Sequence, residues 1–158
     1  MTTSRTTEGD AATDVVVRTF RANGALLASG DRLAAEEGLT AARWQVIGAV
    51  ALASRPLTVP QIARRMGLTR QSVQASVNRL LADGLVEADG NPDHRRSPLI
   101  RLTGRGRNTY RRLQRRQAGW INELSAGLDV SELATTARVL EELTRRLDAR
   151  GEDDKRTR

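Results

Sequence analysis

The chain has 158 residues, 39% of them hydrophobic in the broad sense and 28% charged, with a formal net charge of +7, which suits one domain with a modest core. It has no cysteine and a single histidine, His94, so disulfides, thiolate nucleophiles and cysteine zinc sites are excluded, and neither a metal nor a cofactor is expected. The longest apolar run, Val46 to Ala53, falls far short of the roughly 20 residues of a membrane span, and the N-terminus lacks a signal-peptide core, so no membrane role and a cytoplasmic location are expected.

Val15, Val16, Phe20, Leu27 and Leu33 recur at helical spacing and predict a first helix over about residues 12–36, despite Gly24 and Gly30. Its apolar face is broad, which suggests burial against more than one partner. Thr40 is a good N-cap for a second helix carrying Trp44, Ile47, Val50 and Ala51, and Pro56 stops it by disfavouring helical geometry at Arg55. Thr58 with Gln61 forms a capping box for a third helix, in whose first turn Pro60 is tolerated. Ile62, Ala63 and Met66 make its inner face, and Gly67 ends it.

A new cap, Thr69, follows after Leu68. The fourth helix runs to Asp83 with Val73, Val77, Leu80 and Leu81 as the buried stripe, and it presents Arg70, Gln71, Gln74, Ala75, Asn78 and Arg79 on the opposite face. After Gly84 the period becomes extended. Leu85–Ala88 and Leu99–Leu102 predict two short strands, and Asp89-Gly90-Asn91-Pro92-Asp93 supplies the turn signals of a hairpin with His94, Arg95 and Arg96 at its tip. Thr103 caps a fifth helix bearing Tyr110, Leu113, Trp120, Ile121 and Leu124. Asp129 with Glu132 opens a sixth, whose stripe of Leu133, Ala137, Leu140 and Leu147 reaches Arg150.

The charge is concentrated. From Arg55 to Ala118 there are fourteen arginines against four acids, while the flanks are slightly acidic. Two short helices joined by a glycine turn and followed by an arginine-tipped hairpin make a winged helix-turn-helix, whose second helix lies in the major groove. There arginine matches guanine, and glutamine or asparagine matches adenine, with two hydrogen bonds each. Thr69, Arg70, Gln71, Ser72, Gln74, Ala75, Asn78 and Arg79 are therefore the candidate groove residues, with Ser72 and Ala75 small enough for close approach. In the hairpin, Arg95 or Arg96 is the candidate for the adjacent minor groove, where negative potential attracts arginine. Asp93 is placed to clamp one of the two and shape the loop.

An enzyme is not expected. Glu36-Glu37, Glu141-Glu142 and Asp153-Asp154 fall on helix surfaces or in a tail, and Gly104-Arg105-Gly106 lacks the rest of a phosphate-binding loop. The abundance of arginine, with a single lysine, also admits an architectural or weakly specific DNA-binding protein.

The order of elements resembles the MarR family of multiple antibiotic resistance regulators. The resemblance rests on Leu39 to Ile47, Thr58-Val59-Pro60-Gln61-Ile62-Ala63, Ser76-Val77-Asn78-Arg79-Leu80 with Gly84-Leu85-Val86, and the wing run Asn91 to Ser97 ending in Leu102-Thr103-Gly104-Arg105-Gly106. One departure is that the family places Asp directly before the arginine pair, where this chain has His94, with Asp93 one residue earlier. The resemblance implies a mainly α fold with a small β-hairpin wing: a winged helix-turn-helix lobe plus a helical dimerisation region. On that plan residues 1–11 are a disordered tail, 12–38 the N-terminal dimerisation helix, 39–103 the DNA-binding lobe, 104–150 the C-terminal dimerisation helices and 151–158 a second disordered tail. It further implies a homodimer on double-stranded DNA with a near-palindromic operator, more often a repressor. A small aromatic effector is implied near Arg43, Trp44 and Tyr110, although Trp44 also reads as core and Arg43 as an ion-pair partner.

Overall fold

The structure is a computed structural model that describes residues 4–156 except 93 and 95, and of residues 152–156 only the backbone. In chain order the elements are α1 (Thr7–Ala35), α2 (Ala41–Ala51), α3 (Val59–Met66), α4 (Arg70–Ala82), β1 (Val86–Asp89), β2 (Leu99–Leu102), α5 (Gly104–Ser125) and α6 (Val130–Arg156). The mainly helical fold with one hairpin is the one expected. The chain divides into two compact units, Met1–Ala118 and Gly119–Arg158, with the boundary inside α5.

The caps act where the sequence placed them. Thr40 accepts from the N–H of Arg43 at 3.4 Å, and Thr69 accepts from that of Ser72 at 3.1 Å. The N–H of Thr58 donates to Gln61 Oε1 at 2.8 Å, satisfying the backbone at the start of α3. Gly67 ends α3 with φ +62°, a left-handed conformation that glycine adopts without a Cβ clash, and the Leu68 N–H then donates back to the Ala63 carbonyl at 2.9 Å. This turn sets α3 and α4 at an angle within a few residues.

The core of the first unit gathers Ile47 from α2, Ile62 from α3, Val73, Val77 and Leu80 from α4, Ile100 from β2 and Leu113 from α5, all essentially inaccessible to solvent. Burying each of these side chains stabilises the lobe by roughly 1.5–3 kcal/mol. β1 and β2 pair antiparallel, with Val86 opposite Leu102 and Asp89 opposite Leu99. Leu57, just ahead of α3, adds an isolated bridge to Ile100, whose N–H donates to the Leu57 carbonyl at 2.8 Å. The base of the wing is thereby stitched to the helix-turn-helix. Thr103 completes the junction by donating through its hydroxyl to the Gly84 carbonyl at 2.8 Å and accepting from the Gly106 N–H at 3.0 Å.

The turn that follows α1 is joined to the middle of α5 by charge. Glu37 accepts from Arg112 through both carboxylate oxygens, at 2.8 and 2.7 Å, and Glu36 pairs with Arg116 at 2.6 Å. The Arg112 hydrogen bonds hold the Glu37 carboxyl below the ordinary glutamate value, with burial opposing and the charges of Arg112 and Arg116 adding to the effect. A carboxylate with a lowered folded-state pKa contributes stability above its unfolded pKa, and that contribution is lost as pH falls through the folded value. Glu37→Gln is therefore expected to lower Tm near neutral pH, and the gap to wild type should narrow as pH falls below the ordinary glutamate value of about 4.3 in thermal melts. A gap independent of pH would mean that the carboxylate charge contributes nothing.

Both ends of the chain differ from expectation. α1 starts at Thr7, about five residues earlier than expected and inside the segment expected to be a disordered tail, because the Thr6 hydroxyl accepts from the Gly9 N–H at 3.1 Å and Glu8 and Asp10 meet the positive end of the helix. α6 passes Arg150 and continues to Arg156. Only Gly151 opposes the helix there, and the charged residues after it are tolerated in helices. In the second unit, Asp129 caps α6 by accepting from the N–H groups of Ser131 at 2.7 Å and Glu132 at 3.1 Å. The apolar stripes expected on α1, on the C-terminal half of α5 and on α6 stay partly open: Val16, Phe20, Ile121, Leu124, Leu133 and Leu147 are exposed, while Val15, Leu27, Leu33, Trp120 and Leu140 are half-buried.

Candidate nucleic-acid interface

α4 turns Val73, Val77 and Leu80 inward, and the 3.6-residue period leaves Arg70, Gln71, Gln74, Ala75, Asn78 and Arg79 exposed together. Thr69 and Ser72 are exposed as well but serve the helix start, the Ser72 hydroxyl donating to the Thr69 carbonyl at 2.9 Å. Gln74 Nε2 donates to Asn78 Oδ1 at 2.8 Å, so two of the amide side chains lie aligned along the outer face. Arg79 pairs with Asp83 at 3.5 Å near the C-terminal end of the helix.

The hairpin returns to the start of this helix. Arg96 lines a groove of about 310 Å³ together with Arg70, Gln71 and Gln74, floored by Val59 and Pro60 of α3. The side chains suited to reading bases and one wing arginine therefore share one concavity. The assignments to Asp93 and Arg95 lie outside the described residues. Asn91 holds the loop: its Nδ2 donates to the Ser97 carbonyl at 2.8 Å, and its own carbonyl accepts from the His94 N–H at 3.2 Å. The Asn-Pro turn signal marked this residue as a bend but not as the tie across the loop.

The three residues named for an effector have different surroundings. Arg43 donates to Asp83 at 3.2 Å, tying the first turn of α2 to the end of α4. Trp44 is half-buried and packs against the core. Tyr110 lines a separate cleft between α2, β2 and α5, and burial raises its phenol above the ordinary value, so it stays protonated at neutral pH. Among the described residues, no three of His, Asp and Glu gather as a metal site, and no helix is long and apolar enough to cross a membrane.

A bracing helix, a left-handed glycine turn, a second helix with amides and guanidinium groups outward, and an arginine-bearing hairpin beside its start define a winged helix-turn-helix DNA-binding protein. A model of the MarR family matches residues 37–97. An uncharacterised protein of Mycobacterium tuberculosis is 44% identical over 122 residues, covering 77% of this chain and 84% of that protein. The transcriptional activatory protein BadR of Rhodopseudomonas palustris is 28% identical over 129 residues, covering 78% of this chain and 72% of BadR. Among solved structures, the Mycobacterium tuberculosis transcriptional regulator MOSR in complex with DNA has a similar fold, with a TM-score of 0.70 and 24% identity over 85% of this chain and 96% of that one. The chain belongs to the MarR family of DNA-binding transcriptional regulators.

Proposed function

We propose that this regulator works as a homodimer on a near-palindromic operator, represses from it in the cytoplasm, and is released by a small-molecule effector. The observation that carries sequence-specific binding is the shared concavity of Arg70, Gln71, Gln74 and Arg96, which joins base-reading side chains to a wing arginine. Dimerisation is supported by the apolar side chains that a single chain leaves open, with Phe20 73% exposed on α1 and Val130 79% exposed on α6. A second copy related by a two-fold axis would cover them and present two recognition helices to half-sites about one DNA turn apart. For the effector, Tyr110 is the favoured contact of the three named residues, because Arg43 is held by Asp83 and Trp44 is packed into the lobe.

The test is fluorescence anisotropy with duplexes from the gene's own promoter region and with random duplexes, over a salt series, alongside sedimentation equilibrium. The expected result is a dimer of the 17.3 kDa chain whose promoter affinity exceeds random affinity by about a thousandfold or more. A ratio near one at every salt concentration would replace this reading with weakly specific, architectural binding. A monomer mass at binding concentrations would remove the two-fold operator.

A further inference from the structure

The cleft beside Tyr110 has a volume of about 720 Å³, within the range of small-molecule sites. Its floor is apolar, made of Val50, Ala51, Pro56, Leu102 and the Tyr110 ring. Four arginines stand around it: Arg55 from the loop after α2, Arg101 from β2, and Arg107 and Arg111 from α5. One carboxylate, Glu87 of β1, also lines it and a second, Asp89, pairs with Arg101, so the site carries a surplus of two positive charges. Arg107 is oriented by donating to the Leu102 carbonyl at 2.7 Å, Arg101 pairs with Asp89 at 2.9 Å, and Arg111 donates to Asn108. Each of these guanidinium groups keeps further N–H donors, and Arg55 has no ion-pair partner among the described residues.

We infer that this cleft is a binding site for a small organic phosphate whose body is apolar, an aryl or alkyl group. Several guanidinium groups around a greasy floor match a dianion on an apolar body. A monoanion would leave the charge surplus standing, and an uncharged aromatic would leave the arginines without anions. A DNA backbone is the less favoured occupant because the surface is concave and apolar at its base. The cleft shares no lining residue with the groove of Arg70, Gln74 and Arg96, so its occupant need not compete with DNA for side chains. It touches Arg101 and Leu102 of β2, the strand that follows Arg96 in the wing, so an occupant that draws β2 toward α5 would bias the wing between two arrangements. This consequence rests on the effector reading above; the site itself does not.

Isothermal titration of the full chain with 1-naphthyl phosphate, and with 1-naphthol and inorganic phosphate as its apolar and anionic halves, tests the site. The aryl phosphate is expected to bind about tenfold or more tightly than either half. The double variant Arg55→Gln/Arg111→Gln should lose about tenfold or more of that affinity, while its thermal melt and its ligand-free operator affinity stay near wild type. Undiminished binding by the double variant, or no preference over inorganic phosphate, would overturn the site. Loss of operator affinity in the double variant, with no aryl phosphate binding to wild type, would overturn it in favour of a DNA-backbone contact. Aryl phosphate binding that leaves the operator complex intact would uphold the site and overturn effector release. Operator release by the aryl phosphate that persists in the double variant would uphold release and overturn the site.

Discussion

Replacing Gly106 with alanine is expected to destabilise the protein by about 4 kcal/mol, an unusually large effect for adding one methyl group. A Cβ built at Gly106 would lie 1.9 Å from the carbonyl oxygen of Leu85 and 3.0 Å from its carbon. Neither is the end of a flexible side chain. The same carbonyl accepts from the Thr103 N–H at 3.1 Å, so it cannot swing aside without breaking the junction between β1, β2 and α5. Relief would require α5 to lift from the lobe, and α5 supplies Leu113, which has no solvent exposure. In thermal melts the loss should appear as a fall in Tm of about 10 °C for a chain of this size. Gly104→Ala, two residues earlier, is the control: its Cβ would meet only the end of Arg107 at 3.9 Å, and the change should stay within about 0.5 kcal/mol of wild type. A Gly106 effect as small as that of Gly104 would show that the close approach is not maintained in solution.

Removing the reading side chains should change which operator is bound more than how stable the protein is. Arg70 and Gln74 are exposed on α4, so Arg70→Ala and Gln74→Ala should leave the melt unchanged. Each is expected to cost about 1–3 kcal/mol at one or two operator base pairs, with discrimination at those positions relaxed. Gln74→Ala also frees Asn78 from its hydrogen bond, so it should broaden preference more than a lone contact would. Arg96→Ala gives the contrast: affinity should fall evenly across operator variants, and the slope of log affinity against log salt should fall by about one phosphate's worth. Anisotropy against a panel of single-base operator variants distinguishes these patterns. An even loss for the α4 variants would turn their side chains into phosphate contacts.

These two expectations draw on different depths of information. The outward face of α4 follows from a stripe of Val73, Val77 and Leu80 at helical spacing between Thr69 and Gly84, and each signal acts within a few residues of itself. The same holds for the Thr40, Thr58 and Asp129 caps and for the left-handed turn at Gly67. The clash waiting at Gly106 has no local signal, because the opposing carbonyl belongs to Leu85, on the other side of the hairpin. Asp83 reads as an ordinary helix end until Arg43, forty positions earlier, is seen to reach it. Leu57 carries no strand pattern of its own, and its bridge to Ile100 arises because the hairpin folds back against the loop before α3.

The sequence by itself determined where α2 to α6 begin, which side chains α4 turns outward, and that a basic middle segment would meet a polyanion. Capping, periodicity and charge are set by neighbours along the chain. Only the tertiary structure decided that Arg96 lies in the same groove as Arg70 and Gln74, that Arg43 serves Asp83, and that four arginines from three stretches of chain surround one apolar cleft. Those juxtapositions depend on how the buried stripes of α2, α3, α4, β2 and α5 close on one core. Packing joins residues whose separation in sequence carries no trace of their contact.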